Sequence, residues 1–191
     1  MTIYDSIGGA SDVWVLDLQR GIFGRRTFDG SSSRPIYSAD GNYLIYQTEK
    51  LGLQSIAADG TGEPSLLFEG DSREIYPTSV SPTGDLVFTM GPPYDVYKLS
   101  ADQTAETEVI AEKLSLAPEP RAIIGAQISP DGKWLAYMSN ETGESQIFVR
   151  PFPGYTSGKW QASVDPGGMP VWSPEMDQIF YWTLDYKLMS V

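Results

Sequence analysis

Neither cysteine nor histidine occurs anywhere in the 191 residues. Without thiols there is no disulfide framework and no thiolate nucleophile. Without imidazole, no Ser-His-Asp or Cys-His pair can form from this chain, and zinc sites built on imidazole or thiolate are excluded. Any catalysis would rest on carboxylates, Tyr, Lys or a borrowed cofactor, and the sequence calls for no cofactor or metal. Long apolar runs are missing too. Nothing approaches eighteen consecutive apolar residues, so no segment can cross a bilayer as a helix. The opening stretch MTIYDSIGGAS has neither the basic start nor the apolar run of a secretion signal. Basic residues are scarce: 13 Lys and Arg stand against 25 Asp and Glu, a net charge of −12. Nucleic-acid affinity comes largely from displacing counterions with Lys and Arg, so nucleic acid is not an expected partner. The acidity is first of all a source of solubility.

What the chain does have is a repeated turn. SADG begins at Ser38, SPTG at Ser81, SPDG at Ser129 and SPEM at Ser173, at successive spacings of 43, 48 and 44 residues. A period in the forties with strand-rich units is the signature of propeller blades. Each unit reads alike. A first strand (RPIYS, PTSVS, GAQIS, MPVWS) enters the turn. There Pro82, Pro130 and Pro174 suit the second position, and Gly41, Gly84 and Gly132 are free to take positive φ. Met176 stands where the fourth copy should have Gly, so a strained or differently shaped turn is expected there. A second strand follows: NYLIYQT, DLVFTM, KWLAYMS, QIFYWT. Its poor alternation means that both faces are covered, as in a blade between two others. Third strands are DVWVLDL, LQSIAA, DVYKLS, SQIFVRPF and YKLMSV; fourth strands are RRTF, SLLF, TEVIAE and KWQAS. AEKLSLAP is the one stretch that reads as a helical turn.

The repeated (W/Y/V/I)-S-P-D-G-x-x-(L/I)-x-(Y/F) pattern resembles the WD-repeat-like blades of TolB-type propellers. The segment GKWQASVDPGGMPVWSPEMDQIFYWTLDYKLMSV is similar to propeller modules of bacterial serine/threonine kinase-associated and periplasmic TolB-like proteins. The resemblance covers nearly the whole chain. It implies an all-β propeller of four-stranded antiparallel blades. It also implies a non-enzymatic scaffold that binds a protein or peptide through its loops and the mouth of its channel, in a periplasmic or extracytoplasmic setting. Function lives in sites rather than folds, so alternatives stay open. One is a propeller gating a prolyl-oligopeptidase-type hydrolase. That family's Gly-x-Ser-x-Gly elbow is absent here, so the hydrolase domain would lie outside this chain. A carbohydrate-active propeller with a carboxylate pair ranks last, because no two acids stand out by spacing.

The expected blades are 1–30 (incomplete), 31–71, 72–117, 118–165 and 166–191 (incomplete) of one propeller. The expected total of eighteen strands does not divide into four-stranded blades. A piece of a longer propeller is the first expectation, a five-bladed ring with abbreviated end blades the second. A terminal blade would leave an apolar face bare, so self-association is expected.

Candidate sites are few. Asp40 and Asp131 are expected to stabilise their own turns rather than bind metal. Asp59 to Glu63 lacks a calcium-loop ligand series and reads as a hairpin turn. The five Trp are expected mostly in the core between blades. Tyr94 in GPPYD and Tyr155 in PFPGYTSG read as loop residues able to touch a partner. Arg34, Arg73 and Arg121 are expected in connections leading into first strands. Together they would form a positive rim suited to a carboxylate or acidic peptide. The competing reading pairs them with Asp29, Asp71 and Glu119.

Overall fold

Strand-forming runs bounded by Gly- and Pro-bearing turns leave few ways to satisfy the backbone other than ladders between neighbouring runs. The computed structural model describes residues 2–7 (backbone only), 10–49, 52–70, 74–101, 109–118, 122–175 and 177–191. In these, strands adjacent in sequence pair side by side in five meander sheets.

The first sheet holds β1 (Thr2–Ile7), β2 (Ala10–Asp17) and β3 (Ile22–Arg25). The second holds β4 (Ser32–Tyr37), β5 (Tyr43–Thr48), β6 (Gly52–Ala57) and β7 (Ser65–Phe68). In the third are β8 (Glu74–Val80), β9 (Leu86–Gly91), β10 (Asp95–Leu99) and β11 (Glu112–Lys113). The fourth comprises β12 (Ile123–Ile128), β13 (Trp134–Ser139), β14 (Gln146–Pro151) and β15 (Trp160–Gln161). The fifth comprises β16 (Gly167–Trp172), β17 (Ile179–Thr183) and β18 (Leu188–Ser190). Four-stranded meanders of this kind are the blades of a propeller.

Two compact units divide the chain, Met1–Pro77 and Thr78–Val191, with the boundary inside β8. Within the first unit, Val13 of β2 packs with Leu44 and Tyr46 of β5 and Ile56 of β6, all buried. Within the second, Val87 and Val96 share a buried cluster with Ile123, Ala126, Leu135 and Tyr137. The other face of the fourth sheet is covered as well, where Ala136 and Ile147 meet Ile179 and Tyr181 of the fifth. β13 therefore buries both faces, the physical reason its sequence barely alternates.

Several sequence expectations need correction. AEKLSLAP forms no helix: Leu114 and Leu116 are both fully buried, and the Leu114 amide donates to the Val96 carbonyl at 2.8 Å. A two-residue alternation of buried Leu is a strand's period, and a charged helical face could not have met it. RRTF gives only its first residue to the fourth-position strand, because β3 begins at Ile22 and ends at Arg25. TEVIAE supplies no strand before Glu112 among its described residues. Met176 lies outside the described residues. Trp160 and Trp182 are 53% and 49% exposed, so these two are not core residues.

The third turn is one residue tighter than the others. The Ser81 amide donates to the Asp85 carbonyl, whereas Ser38, Ser129 and Ser173 reach Tyr43, Trp134 and Gln178, one residue further on. Phe88 consequently occupies the place of Tyr46, Tyr137 and Tyr181, and all four rings are at most 2% exposed. Tyr137→Ala should remove about 3–5 kcal/mol in urea unfolding. Val164→Ala, at a fully solvated position, should stay within about 0.5 kcal/mol of the wild type.

Candidate functional site

The repeated turns come first, because their acids were the conspicuous candidates. At each turn the serine Oγ accepts the amide that opens the second strand: Tyr43 to Ser38 at 3.0 Å, Asp85 to Ser81 at 2.9 Å, Trp134 to Ser129 at 3.0 Å, Gln178 to Ser173 at 3.4 Å. The same hydroxyl donates to a carboxylate in three of them, Asp40 and Asp131 at 2.6 Å and Asp177 at 2.7 Å. Ser81 instead shares a proton with Thr83 at 2.8 Å. Gly41, Gly84 and Gly132 take φ of 73°, 95° and 74°. The turn acids therefore serve their own loops. The Ser38 hydroxyl, followed by the Asn42 amide and side chain, holds the Asp40 carboxyl below its ordinary range. The Ser129 hydroxyl does the same for Asp131. Asp59 is likewise lowered by the Thr61 hydroxyl and amide, as a hairpin acid. Among the described residues no group of three or more acids is placed to hold a metal ion.

The loop tyrosines are less free than their sequence context implies. Tyr155 is partly buried against the second unit's core, and its hydroxyl donates to Glu112 Oε1 at 3.1 Å. Burial, with that bond, raises its pKa. Its carbonyl accepts from Arg150 at 2.7 Å. Arg150 is a residue that sequence reasoning missed. It also donates to the carbonyls of Leu116 at 2.8 Å and Gly158 at 3.2 Å, and to the Tyr137 hydroxyl at 3.1 Å. The available signal was a cation inside the apolar third strand SQIFVRPF. Tyr94 sits in a turn beside Gly91, half-buried: a Cβ on Gly91 would lie 2.6 Å from the Tyr94 ring.

Of the three arginines, Arg73 and Arg121 lie outside the described residues. Arg34 lies within β4, not in the connection ahead of it. It stands four residues before Ser38, whereas Arg73 and Arg121 stand eight before Ser81 and Ser129, so it is not their repeat equivalent. The position it does occupy is unusual. The β4–β5 register shifts between Ser33 and Ile36, and Arg34 takes φ 52°. Gly125 and Met169, also four before their serines, show the same shift, with φ of 66° and 57°. Pro77 fills the place in the remaining copy, where its ring forbids positive φ. A left-handed non-glycine residue carries local strain, of the kind that collects at functional positions.

The bulge throws the Arg34 side chain outward. It is exposed, its guanidinium lies 4.0 Å from the centre of the Tyr76 ring, and among the described residues no carboxylate pairs with it. Tyr76 had given no sequence signal beyond being an aromatic in EIYPT. An exposed guanidinium over an aromatic ring keeps the hydrogen-bonding capacity that suits a carboxylate.

No protein-family model matches the sequence, and no curated protein does. Solved structures match in fold. TolB from Acinetobacter baumannii superposes with a TM-score of 0.74 at 13% identity, over 99% of this chain and 48% of that one. A chain of the nidogen/laminin complex gives 0.72 at 11% identity, covering 100% of this chain and 73% of its own. Oligogalacturonate lyase in complex with manganese gives 0.59 at 12% identity, over 96% and 67%. The chain spans about half the length of the TolB structure. The fold is a TolB-like β-propeller. At these identities the likeness carries the fold alone.

Because Asp40 and Asp131 are depressed in the folded state, their contribution to stability is complete above the ordinary value of 3.8 and is lost as pH falls through the folded value. The double variant Asp40→Asn, Asp131→Asn should therefore lose less melting temperature than the wild type on acidification from neutral pH to below 3.8.

Proposed function

We propose that this propeller is a non-enzymatic binding scaffold that takes a carboxylate of a protein or peptide partner on Arg34, in an extracytoplasmic setting. One observation carries the reading: an exposed guanidinium over the Tyr76 ring, on a left-handed backbone, with no described acid to neutralise it on a chain of net charge −12. An unpaired cation on such a body attracts only what can approach it closely, and Arg forms bidentate bonds to carboxylates. Support for a protein partner comes from the fold neighbour found in the nidogen/laminin complex. The lyase neighbour shows that propellers also house enzymes, but here the acids of the repeated turns, Asp40 and Asp131, are spent on their own loops. Tyr94 and Tyr155 are proposed as flanking partner contacts, and Arg73 and Arg121 as further cations toward the same acidic partner. The reading includes association between copies of the chain.

A hexaglutamate peptide titrated into 15N-labelled protein should shift amides around Arg34, and hexalysine should not. Arg34→Gly, which relaxes the left-handed backbone, should keep the fold while weakening the peptide at least tenfold. Equal hexaglutamate binding by wild type and Arg34→Gly would remove the reading.

A further inference from the structure

The second sheet, complete with four strands, ends in two neighbouring turns. Residues 38–42 join β4 to β5, and residues 58–64 join β6 to β7. The turns are bonded side by side, the Ala58 amide donating to the Asn42 carbonyl at 2.8 Å. An open groove of about 750 Å3 lies between them, wholly within the first unit. Its volume is in the range of ligand sites. Tyr37, Asp40, Asn42, Tyr43, Ala58 and Asp59 are among the residues that line it. Tyr37 and Tyr43 are 37% and 51% exposed. By register Tyr37 lies opposite Leu44 and Tyr43 opposite Ala57, so the two leave the sheet on opposite sides and the groove crosses its end.

The two acids serve their turns without exhausting their oxygens. An ionised carboxylate accepts about four hydrogen bonds. At Asp40, Oδ1 takes the Ser38 hydroxyl and the Asn42 amide, and Oδ2 takes the Asn42 side chain. At Asp59, Oδ1 takes the Thr61 amide and hydroxyl, while Oδ2 accepts from no other described residue. About three acceptor positions are thus left, all on Oδ2 atoms. The same local bonds hold both carboxyls below their ordinary range, so both stay ionised in mild acid. Arg26 is the cation that acts on Asp59, yet among the described residues no ion pair joins them. Its Nε donates to the Ala58 carbonyl at 2.7 Å and its Nη1 to the Arg25 carbonyl at 3.3 Å. Two anions against one cation leave the groove negative.

We infer that this groove takes the ammonium group of a lysine side chain from a basic peptide. The open atoms select that cation. An arginine fork bonds both oxygens of one carboxylate, and each Oδ1 here already holds two bonds. A compact ammonium carries three donors and needs only one oxygen at a time. The two tyrosines of the lining offer apolar surface to the lysine stem and a ring face to its charge. A body of net charge −12 attracts such a peptide from a distance. The groove stands apart from the Arg34 site, since the two take ligands of opposite charge.

Hexalysine titrated into the 15N-labelled full chain should shift the amides of Asn42, Tyr43, Ala58 and Asp59 and reach saturation. Hexalysine acetylated at every Nε should leave them in place, and hexaarginine should bind more weakly than hexalysine. Asp59→Asn can keep both Thr61 bonds through its carbonyl oxygen, so its melting temperature should stay near the wild-type value. The same variant should weaken hexalysine about fivefold. Arg34→Gly should bind hexalysine as the wild type does, which separates this result from the fate of the Arg34 site. Shifts spread evenly over the acidic surface, with Asp59→Asn binding as the wild type does, would reduce the effect to general attraction and overturn the site. Tighter binding of hexaarginine would overturn the choice of lysine, and equal shifts with the acetylated peptide would overturn recognition of charge.

Discussion

A single hydroxyl organises each repeat. The turn serine accepts the first amide of the second strand, and in three copies donates to an acid inside the turn. Two orphan groups of a tight turn are thereby satisfied locally, which fixes where the second strand leaves the first. The glycine that follows allows the left-handed step between them. Once that junction is set, Leu44, Leu86, Leu135 and Ile179 fall on one face, and the aromatic two residues later falls beside each. Register in a sheet is all or nothing, because a slip of one residue would exchange the faces entirely.

The third repeat shows that constraint at work. Its turn is a residue shorter, yet the chain compensates so that Phe88 meets the same place as the tyrosines. Packing dictates the outcome and the turn adapts. Burial of both faces then binds sheet to sheet within each unit, and a ring of Tyr137's size contributes several kilocalories per mole through contact alone.

Much of this was legible in the sequence. The spacing of Ser38, Ser81, Ser129 and Ser173 showed the sheets, and the unalternating KWLAYMS showed that its strand is covered twice. The turn role of Asp40 and Asp131 followed from their place beside Ser and Gly. The shortened third turn was hidden because SPTGDLVF reaches its core aromatic one residue sooner than SPDGKWLAY, a difference that a motif tolerates and a register does not. AEKLSLAP misled because charge and Leu spacing mimic one helical turn, when the two leucines were alternating into a core. The candidate site was the less legible part. Arg34 was picked for a connection and lies in a bulge; its value comes from a left-handed backbone and from Tyr76, more than forty residues ahead in the chain. Such a juxtaposition leaves no local trace. Arg150 was missed for the same reason, its partners being carbonyls that no side-chain pattern reveals.

Function then follows from what the repeats leave over. The acids that form the turns are occupied, the rings that form the core are buried, and among the described residues the Arg34 guanidinium stands outward over the Tyr76 ring. All of it depends on the serine junctions holding the second to fifth sheets in register. Hydrogen exchange at the amides of Tyr43, Asp85, Trp134 and Gln178 addresses that dependence most directly. Protection of all four well above that of the amide of exposed Thr142 is the expected result. Free exchange at these four, with the strands around them still protected, would contradict it.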